Sequence, residues 1–421
     1  MNISKKLAKD FWDEDKKNGS IIRNQYDEIK QILNHYDRTW IENQLIKIKK
    51  HSIEHTEFYK KYNIDDIFPV VNKTFILDNY DAMLADSGFE LPTHISSTSG
   101  STGTPFKVVQ DMKKRKRTIA DLQIMGELAE YNSHERMVFF RVLHQNSRRS
   151  AEQENKENIY YIDCSDLSSV GLNNMYCELT EKKPVCIMSY TSTLVELAKY
   201  IIQSSYATIP LKSIITIGEG VSEENHRLLT EAFDGKVYRR YSDMELGILA
   251  QDNGNRGEYR LNWGSFYFEC LKLNSDEPAE ENETGRIVIT DLFNYALPMI
   301  RYDTGDLGVM GHNSLGIPVL KEIHGRERDC IYSASGELVS PAKISVSMWG
   351  IDSIKQWQFI QNTKTGYTLK LNADINNDYS GIIKTLKSVL GENANIDMEF
   401  VDDIPVLSSN KRRAVINNYI K

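Results

Sequence analysis

Apolar residues recur at roughly helical spacing in the first part of the chain. Trp40, Ile41, Leu45, Ile48 and Ile53 stand between charged residues, the pattern of an amphipathic helix. This spacing predicts a mainly helical leading segment over residues 1 to about 90, with Pro69 and Asn72 punctuating a helix start. Phe106 to Gln110 reads as a strand. From about 136 to 300 the period alternates. Met137 to Phe140, Val185 to Met188 and Ile214 to Ile217 read as buried strands, and Thr191 to Gln203 and Glu223 to Ala232 as helices. Strands alternating with helices predict a parallel sheet covered on its faces. The charged stretch Gln145 to Asn158, with Arg148 and Arg149 inside it, reads as an exposed loop. Beyond about 350 the pattern changes again. Gln356 to Gln361 and Tyr367 to Asn372 predict a hairpin turning at residues 362–366. Asn377 to Leu390 predicts a helix stopped by Gly391, and Ile396 to Val401 another strand. This is a small separate α+β unit that ends in the polar loop Ser408 to Arg413.

Length and composition narrow the class. A chain of 421 residues, 40% hydrophobic and 10% aromatic, suits one large and one small domain or two to three domains. A formal charge of −8 argues against a general nucleic-acid or membrane-surface binder, which needs basic excess. The five cysteines are scattered without CxxC or zinc spacing, as suits a reducing cytoplasm. The N-terminus has no apolar run of signal-peptide length, and no span reaches the ~20 apolar residues of a membrane helix.

One stretch fits no core. Ser96 to Pro105 holds four Ser, three Thr, two Gly and one Pro. Its glycines permit positive φ and close ligand approach, and its N–H groups and hydroxyls could cradle an anion. The same composition suits a flexible linker. No Lys follows the second Gly, so it is not a kinase-type phosphate loop. Nearby, Lys113 to Arg117 form a charge run. Such a run is usually a solvated helix face; the other reading is a landing site for an anionic second substrate, such as a coenzyme A phosphate.

Thr98-Ser99-Gly100-Ser101-Thr102-Gly103-Thr104-Pro105 resembles the phosphate loop [ST]SG[ST]TGxP of the adenylate-forming enzymes. Further motifs follow in that superfamily's order. Ile217-Gly218-Glu219-Gly220 resembles the segment lining its adenine and acyl pocket. Tyr241-Ser242-Asp243-Met244-Glu245 resembles YGx[ST]E, with Ser242 for Gly and Met244 for a hydroxyl residue. Arg301 to Leu307 resembles YRTGDL, with Asp303 for Arg. Gly325-Arg326-Glu327-Arg328-Asp329 resembles the GRxxD hinge. Gly336, Val339 and Pro341 fit GxxVxPxxIE, with Ser345 for Glu. Ser409-Asn410-Lys411 resembles the late SGK, with Asn410 for Gly. Taken singly, several of these are ordinary turns: Thr304-Gly305-Asp306 suits one, and Lys411 would pass for a solvated tail charge.

The resemblance covers roughly residues 40 to 421 and is closest to the phenylacetate-CoA ligase and capsule-type (CapK-like) branch. It implies an α/β fold: a large multi-layer N-terminal domain (1–328) with mixed sheets and flanking helices, and a small mobile α+β C-terminal lid (329–421). The implied activity is ATP-dependent activation of a carboxylic acid as an acyl-adenylate, then transfer to CoA, on an aryl or short acyl acid. The implied ATP contacts are Ser99, Gly100, Ser101, Thr102, Gly103, Thr104, Gly218, Glu219, Gly220, Tyr241, Ser242, Asp306 and Arg326. In these, Tyr241 stacks on the purine and Asp306 accepts the ribose hydroxyls, while Arg326 bridges ribose and phosphate. Glu245 holds Mg²⁺, Lys411 and Thr102 serve catalysis, and Asp329 is the hinge. Two alternatives stay open: transfer to an amine, sugar or carrier-protein thiol, and a catalytically quiet nucleotide-binding protein. No nucleic-acid or membrane partner is expected, and the reading is compatible with a homodimer in the cytoplasm.

Overall fold

A computed structural model describes residues 3–97, 106–143, 149–326, 331–336, 338–339, 344, 347–348, 353–404 and 414–419. The leading segment is helical as the periodicity predicts, with α1 (Ile3–Lys17), α2 (Ile21–Asn34), α3 (Arg38–His55), α4 (Lys73–Asp78) and α5 (Tyr80–Met83). Asn72 does mark a helix start: its side chain accepts the Phe75 N–H at 2.9 Å and caps α4. Next come β1 (His94–Ser97) and β2 (Lys107–Gln110), an antiparallel pair in register from His94–Gln110 to Ser97–Lys107. The Ser/Thr/Gly stretch is therefore the connection of a hairpin.

The charge run then opens α6 (Met112–Leu128), which Asp111 caps by accepting the Lys114 N–H at 2.8 Å. Here the structure corrects the sequence reading, because Lys114 and Arg117 are fully buried. Lys114 Nζ lies 2.7 Å from Asp291 Oδ2 as an ion contact without hydrogen-bond geometry. Arg117 donates to Glu28 at 2.7 Å, to Ser265 Oγ at 3.0 Å and to the Gly264 carbonyl. Asp121 accepts from Asn262 at 2.8 Å and Ser265 at 2.7 Å. Burial raises the Asp121 carboxyl and lowers the Arg117 guanidinium from their ordinary values, so each depends on its partners. Two of the five run residues are thus an internal polar network, not a solvated face.

The alternating region contains β3 (Met137–Arg141), α7 (Ala151–Glu157), β4 (Ile159–Asp163), α8 (Ser169–Lys182), β5 (Cys186–Tyr190), α9 (Thr191–Gln203), β6 (Ser213–Ile217), α10 (Glu223–Phe233), β7 (Lys236–Asp243), β8 (Gly247–Gln251) and β9 (Arg260–Leu261). The strands form one seven-stranded sheet in the order β4-β3-β5-β6-β7-β8-β9, parallel through β7 and antiparallel beyond it. On one face Val138, Phe140, Ile187, Ile214 and Val237 pack with Leu194, Leu197 and Ile201 of α9 and Leu229 and Phe233 of α10. The stretch read as a loop at 145–158 contains α7. Ser150 caps it by accepting the Gln153 N–H at 3.2 Å.

A four-stranded antiparallel sheet follows in sequence order: β10 (Phe266–Leu271), β11 (Thr284–Asp291), β12 (Tyr302–His312) and β13 (Pro318–Arg326). The remaining elements are β14 (Ile331–Tyr332), β15 (Leu338–Val339), β16 (Ile354–Gln361), β17 (Gly366–Ala373), α11 (Ser380–Leu390), β18 (Asn395–Phe400) and β19 (Val415–Asn417). Strands β16 to β19 make the sheet β18-β17-β16-β19. This unit has its own core, in which Phe359, Leu369 and Leu371 meet Ile382, Leu386 and Leu390, and every residue of that core lies at Ile331 or beyond. The predicted hairpin, helix and final strand of the small unit all stand.

Candidate functional site

The site forms where β6 and β7 end. In an open parallel sheet, ligands bind outside the carboxyl ends of the strands. Ile217 and Arg240 are register partners, so Gly218 leaves β6 beside Tyr241 of β7. Gly218 has φ +71°, a left-handed turn that suits glycine. A Cβ on Gly220 would meet nothing within 4 Å, so that backbone is open to an approaching group. Glu219 lies between them, but both its carboxylate oxygens are committed. Oε2 accepts the Ser192 N–H at 2.6 Å and Oε1 the Ser192 hydroxyl at 3.0 Å. This places a negative charge at the N-terminus of α9, a favourable position. Glu219→Ala should therefore lower stability by about 1 kcal/mol, measured by urea denaturation; an unchanged midpoint would reject the capping role.

β7 carries a bulge between Tyr241 and Ser242. Bulges re-aim side chains at strand ends. Ser242 has no positive φ, so the serine that stands for glycine is unstrained. The half-buried Tyr241 donates its hydroxyl to Asp306 Oδ2 at 2.8 Å, and Thr304 Oγ1 lies 3.4 Å from the same hydroxyl. Burial, then the Asp306 charge, holds the Tyr241 phenol well above its ordinary value, so it stays a donor. Thr304 in turn donates to the Ile287 carbonyl at 2.9 Å and accepts the Asp306 N–H at 3.2 Å. Two strands from different sheets, β7 and β12, are thereby tied at one carboxylate.

Asp303, the departure from the family's Arg, has a structural partner: Arg286 donates to it at 2.7 Å, and it accepts the Gly305 N–H at 2.9 Å. Gly305 takes φ +72° at the register shift between β11 and β12, a conformation that suits glycine. Arg326 is the backbone register partner of Asp306 across β12 and β13. Ser96, the residue of β1 that leads into the Ser/Thr/Gly connection, donates to the Met244 carbonyl at 2.9 Å. That bond pins the base of the connection to the Tyr241–Glu245 segment.

The structure also gives a role to Asp243, which lay inside a quoted motif without one. Its carboxylate accepts the Leu246 N–H at 2.6 Å and the Gly247 N–H at 3.3 Å. Enclosure in the fold first, then the Glu245 charge, with Asp306 adding to it, pushes the Asp243 carboxyl up to about 8. Its only signal in the sequence was its place inside the quoted motif, two residues from Tyr241 and two from Glu245. Three carboxylates thus crowd one spot, a charge relieved by a proton on Asp243 or by a cation. The described residues hold no cluster of three or more His, Cys, Asp or Glu placed to chelate a metal alone. A hard-oxygen site completed by ligand phosphates fits Mg²⁺, which takes few protein carboxylates. Ser99 to Thr104, Asp329, Asn410 and Lys411 lie outside the described residues.

Residues 331–418 match the CapK C-terminal domain family. Over 433 aligned positions the chain is 23% identical to Protein CapK of Staphylococcus aureus, covering 94% of this chain and 93% of that protein. Among solved structures, 2-hydroxyisobutyryl-CoA ligase in the postadenylation state, bound to R3-HIB-AMP, superposes with a TM-score of 0.71. The two are 18% identical, over 90% of this chain and 89% of that one. The chain shares the fold of that CoA ligase, and its C-terminal part matches the CapK C-terminal domain family. The same ligase in its thioesterification state, with 2-HIB-AMP and CoA, superposes less well, at a TM-score of 0.56, 18% identity and the same 90% and 89% coverage. The fold expected from the motifs is therefore the fold observed.

Proposed function

We propose that the chain is an ATP-dependent ligase that activates a carboxylic acid as its acyl-adenylate and passes the acyl group to CoA. The observation that carries this reading is the convergence of Tyr241, Asp306, Glu245 and the base of the Ser/Thr/Gly connection, from three separate parts of the sequence. One end of the group is the Asp306 carboxylate on β12, suited to ribose hydroxyls. The other leads into the Ser/Thr/Gly stretch, whose composition supplies N–H and hydroxyl donors suited to phosphates.

In this reading a carboxylate oxygen of the acid attacks the α-phosphorus of ATP. The new O–P bond forms as the bond to pyrophosphate breaks. The chain's work is positioning and charge neutralisation. Asp306 accepts from the ribose while Tyr241 holds its second oxygen. Ser99 to Thr104 supply donors to the phosphates. Glu245 would hold Mg²⁺ together with phosphate oxygens, and the ion would screen their charge. Lys411 neutralises the reacting groups. The unit with its own core beyond Ile331 then turns about Asp329 and admits the acceptor thiol, a motion able to set the turnover rate.

The test is carboxylate-dependent exchange of labelled pyrophosphate into ATP over a panel of acids, with product analysis against CoA, amines, sugars and carrier-protein thiols. Exchange with a thioester product supports the whole reading. Exchange with another product keeps the activation and replaces the acceptor. ATP binding without exchange on any acid makes the chain a nucleotide-binding protein and overturns the ligase reading. Within this assay Asp306→Asn should raise KM for ATP about tenfold, the effect of one charged hydrogen bond. An unchanged KM would remove Asp306 from the ribose.

A further inference from the structure

The sheet has a second face, and its upper part is unlike the packed one. Alternation along β3 sends Val138 and Phe140 into the helical core and so Phe139 and Arg141 to the opposite side. Register partners in a parallel sheet share a face. Phe139 pairs with Tyr161 on one neighbour and Met188 on the other, and Tyr190 pairs with Ile217. The Phe139 and Tyr161 rings lie 5.7 Å apart. All five of these side chains are only half-buried at the carboxyl edge, and Ile217 directly precedes Gly218. Below them Met137, Cys186, Ile215 and Tyr238 close the face as a buried cluster. The result is an apolar and aromatic recess that opens beside the nucleotide edge.

Among the described residues two guanidiniums reach that recess, Arg141 and Arg149, and they differ in their partners. The Arg141 guanidinium lies 5.7 Å from the Phe139 ring centroid, and its charge is felt at Tyr161 and Tyr190. Tyr190 also feels Glu219, which ties the recess to the Gly218–Gly220 turn. Among the described residues the Arg141 guanidinium makes no hydrogen bond or ion pair. Its register partner Asp163 has turned to the backbone, accepting from Leu143 at 3.2 Å and Ser165 at 3.0 Å. A second half-buried guanidinium, Arg115, likewise has no hydrogen bond or ion pair among the described residues. Arg149, also near Tyr161, is satisfied by Glu157. The other arginines with buried stems in this fold have partners: Arg117 holds Glu28 and Arg240 holds Gln251. A half-buried guanidinium left without a partner contributes little to stability, because its desolvation is not offset.

We infer that the acid activated here carries a second anionic group, received by Arg141 at the end of the recess, and is therefore a dicarboxylic acid. The guanidinium fork pairs with a carboxylate through two parallel N–H bonds, and the aromatic walls take the carbon chain between the two ends. This inference rests on the adenylation reading, and it names that site's substrate class.

The experiment is pyrophosphate exchange with matched pairs of acids, each a monocarboxylic acid and the dicarboxylic acid of equal chain length, on the whole protein and on Arg141→Met. The unaltered protein should prefer the diacids by about 10- to 100-fold in kcat/KM, the range of one charge-assisted pairing. Most of the difference should lie in KM, since the remote group binds alike before and during reaction. Arg141→Met should erase the preference, and Arg141→Lys should restore part of it. The melting temperature of Arg141→Met should hold or rise, because no side-chain hydrogen bond or ion pair is lost. Equal use of both members of each pair, or equal losses on both in Arg141→Met, would overturn the inference and leave adenylation standing. No exchange with any acid while ATP still binds would overturn adenylation, and this inference with it.

Discussion

Lys114→Ala is expected to lower the unfolding free energy by about 3–5 kcal/mol, the cost of leaving one member of a buried ion pair without its counter-charge. Neither Lys114 nor Asp291 has any side-chain exposure, and their charged atoms lie 2.7 Å apart. Lys114 Nζ also sits 4.5 Å from the Phe266 ring centroid. Its removal strands Asp291 and opens a void between α6, β10 and β11. An exposed pair would give no more than about 1 kcal/mol, so magnitude separates a buried pair from a solvated face. The measurement is urea denaturation followed by circular dichroism, and a loss below about 1 kcal/mol would show that Lys114 is dispensable. The double variant Lys114→Met, Asp291→Leu should recover most of the loss, because an apolar pair of similar volume removes both desolvation costs together. The local consequence reaches the site. α6 follows directly on the hairpin whose connection is the Ser/Thr/Gly stretch, and Asp111 at its cap also accepts the Tyr295 N–H at 2.9 Å. A loosened α6 should release that hairpin.

The same network shows what periodicity could and could not reveal. Helix α9 runs over Thr191–Gln203, the span its apolar spacing predicts, because that signal lies within the segment. The small unit was legible for the same reason, its hairpin marked by a short polar turn. Lys114 and Arg117 were not legible. Their partners are Asp291, Ser265 and Glu28, and Ser265 alone lies 148 residues away. Nothing local distinguishes a lysine that will meet a buried carboxylate from one that meets water. The site divides along the same line. Tyr241, Glu245 and Asp306 could be named from motifs, and the fold brings them together. The commitment of Glu219 to Ser192 could not, nor the lone guanidinium of Arg141, since both depend on which neighbours the sheet order supplies. Asp303 is the instructive departure. Standing where the motif has Arg, it proves to be one half of an ion pair with Arg286, so the change is absorbed within β11 and β12 and leaves Asp306 in place.

Lys411→Ala should depress acid-dependent pyrophosphate exchange by about 10²- to 10³-fold, the usual cost of removing one preorganised charge from a developing oxyanion. The physical reason is specific to the first step. A carboxylate must approach an α-phosphate that is itself anionic, and in a site shielded from water two such charges a few ångströms apart repel by several kcal/mol. A lysine between them cancels much of that repulsion and is needed most when the new O–P bond is half formed. In the second step the acyl-adenylate is already made and the nucleophile attacks a neutral carbonyl carbon. Transfer from supplied acyl-adenylate to CoA should therefore fall by no more than a few-fold in the same variant. Lys411→Arg keeps the charge on a stiffer, wider fork and should retain an intermediate exchange rate. The contrast between the half-reactions is the decisive quantity, because a variant that merely unfolds the C-terminal unit would lose both equally. Equal losses in exchange and transfer would take Lys411 out of the chemistry. They would leave the departure at Asn410 beside it as the sign of a phosphate site served by Ser99 to Thr104 and Glu245 alone.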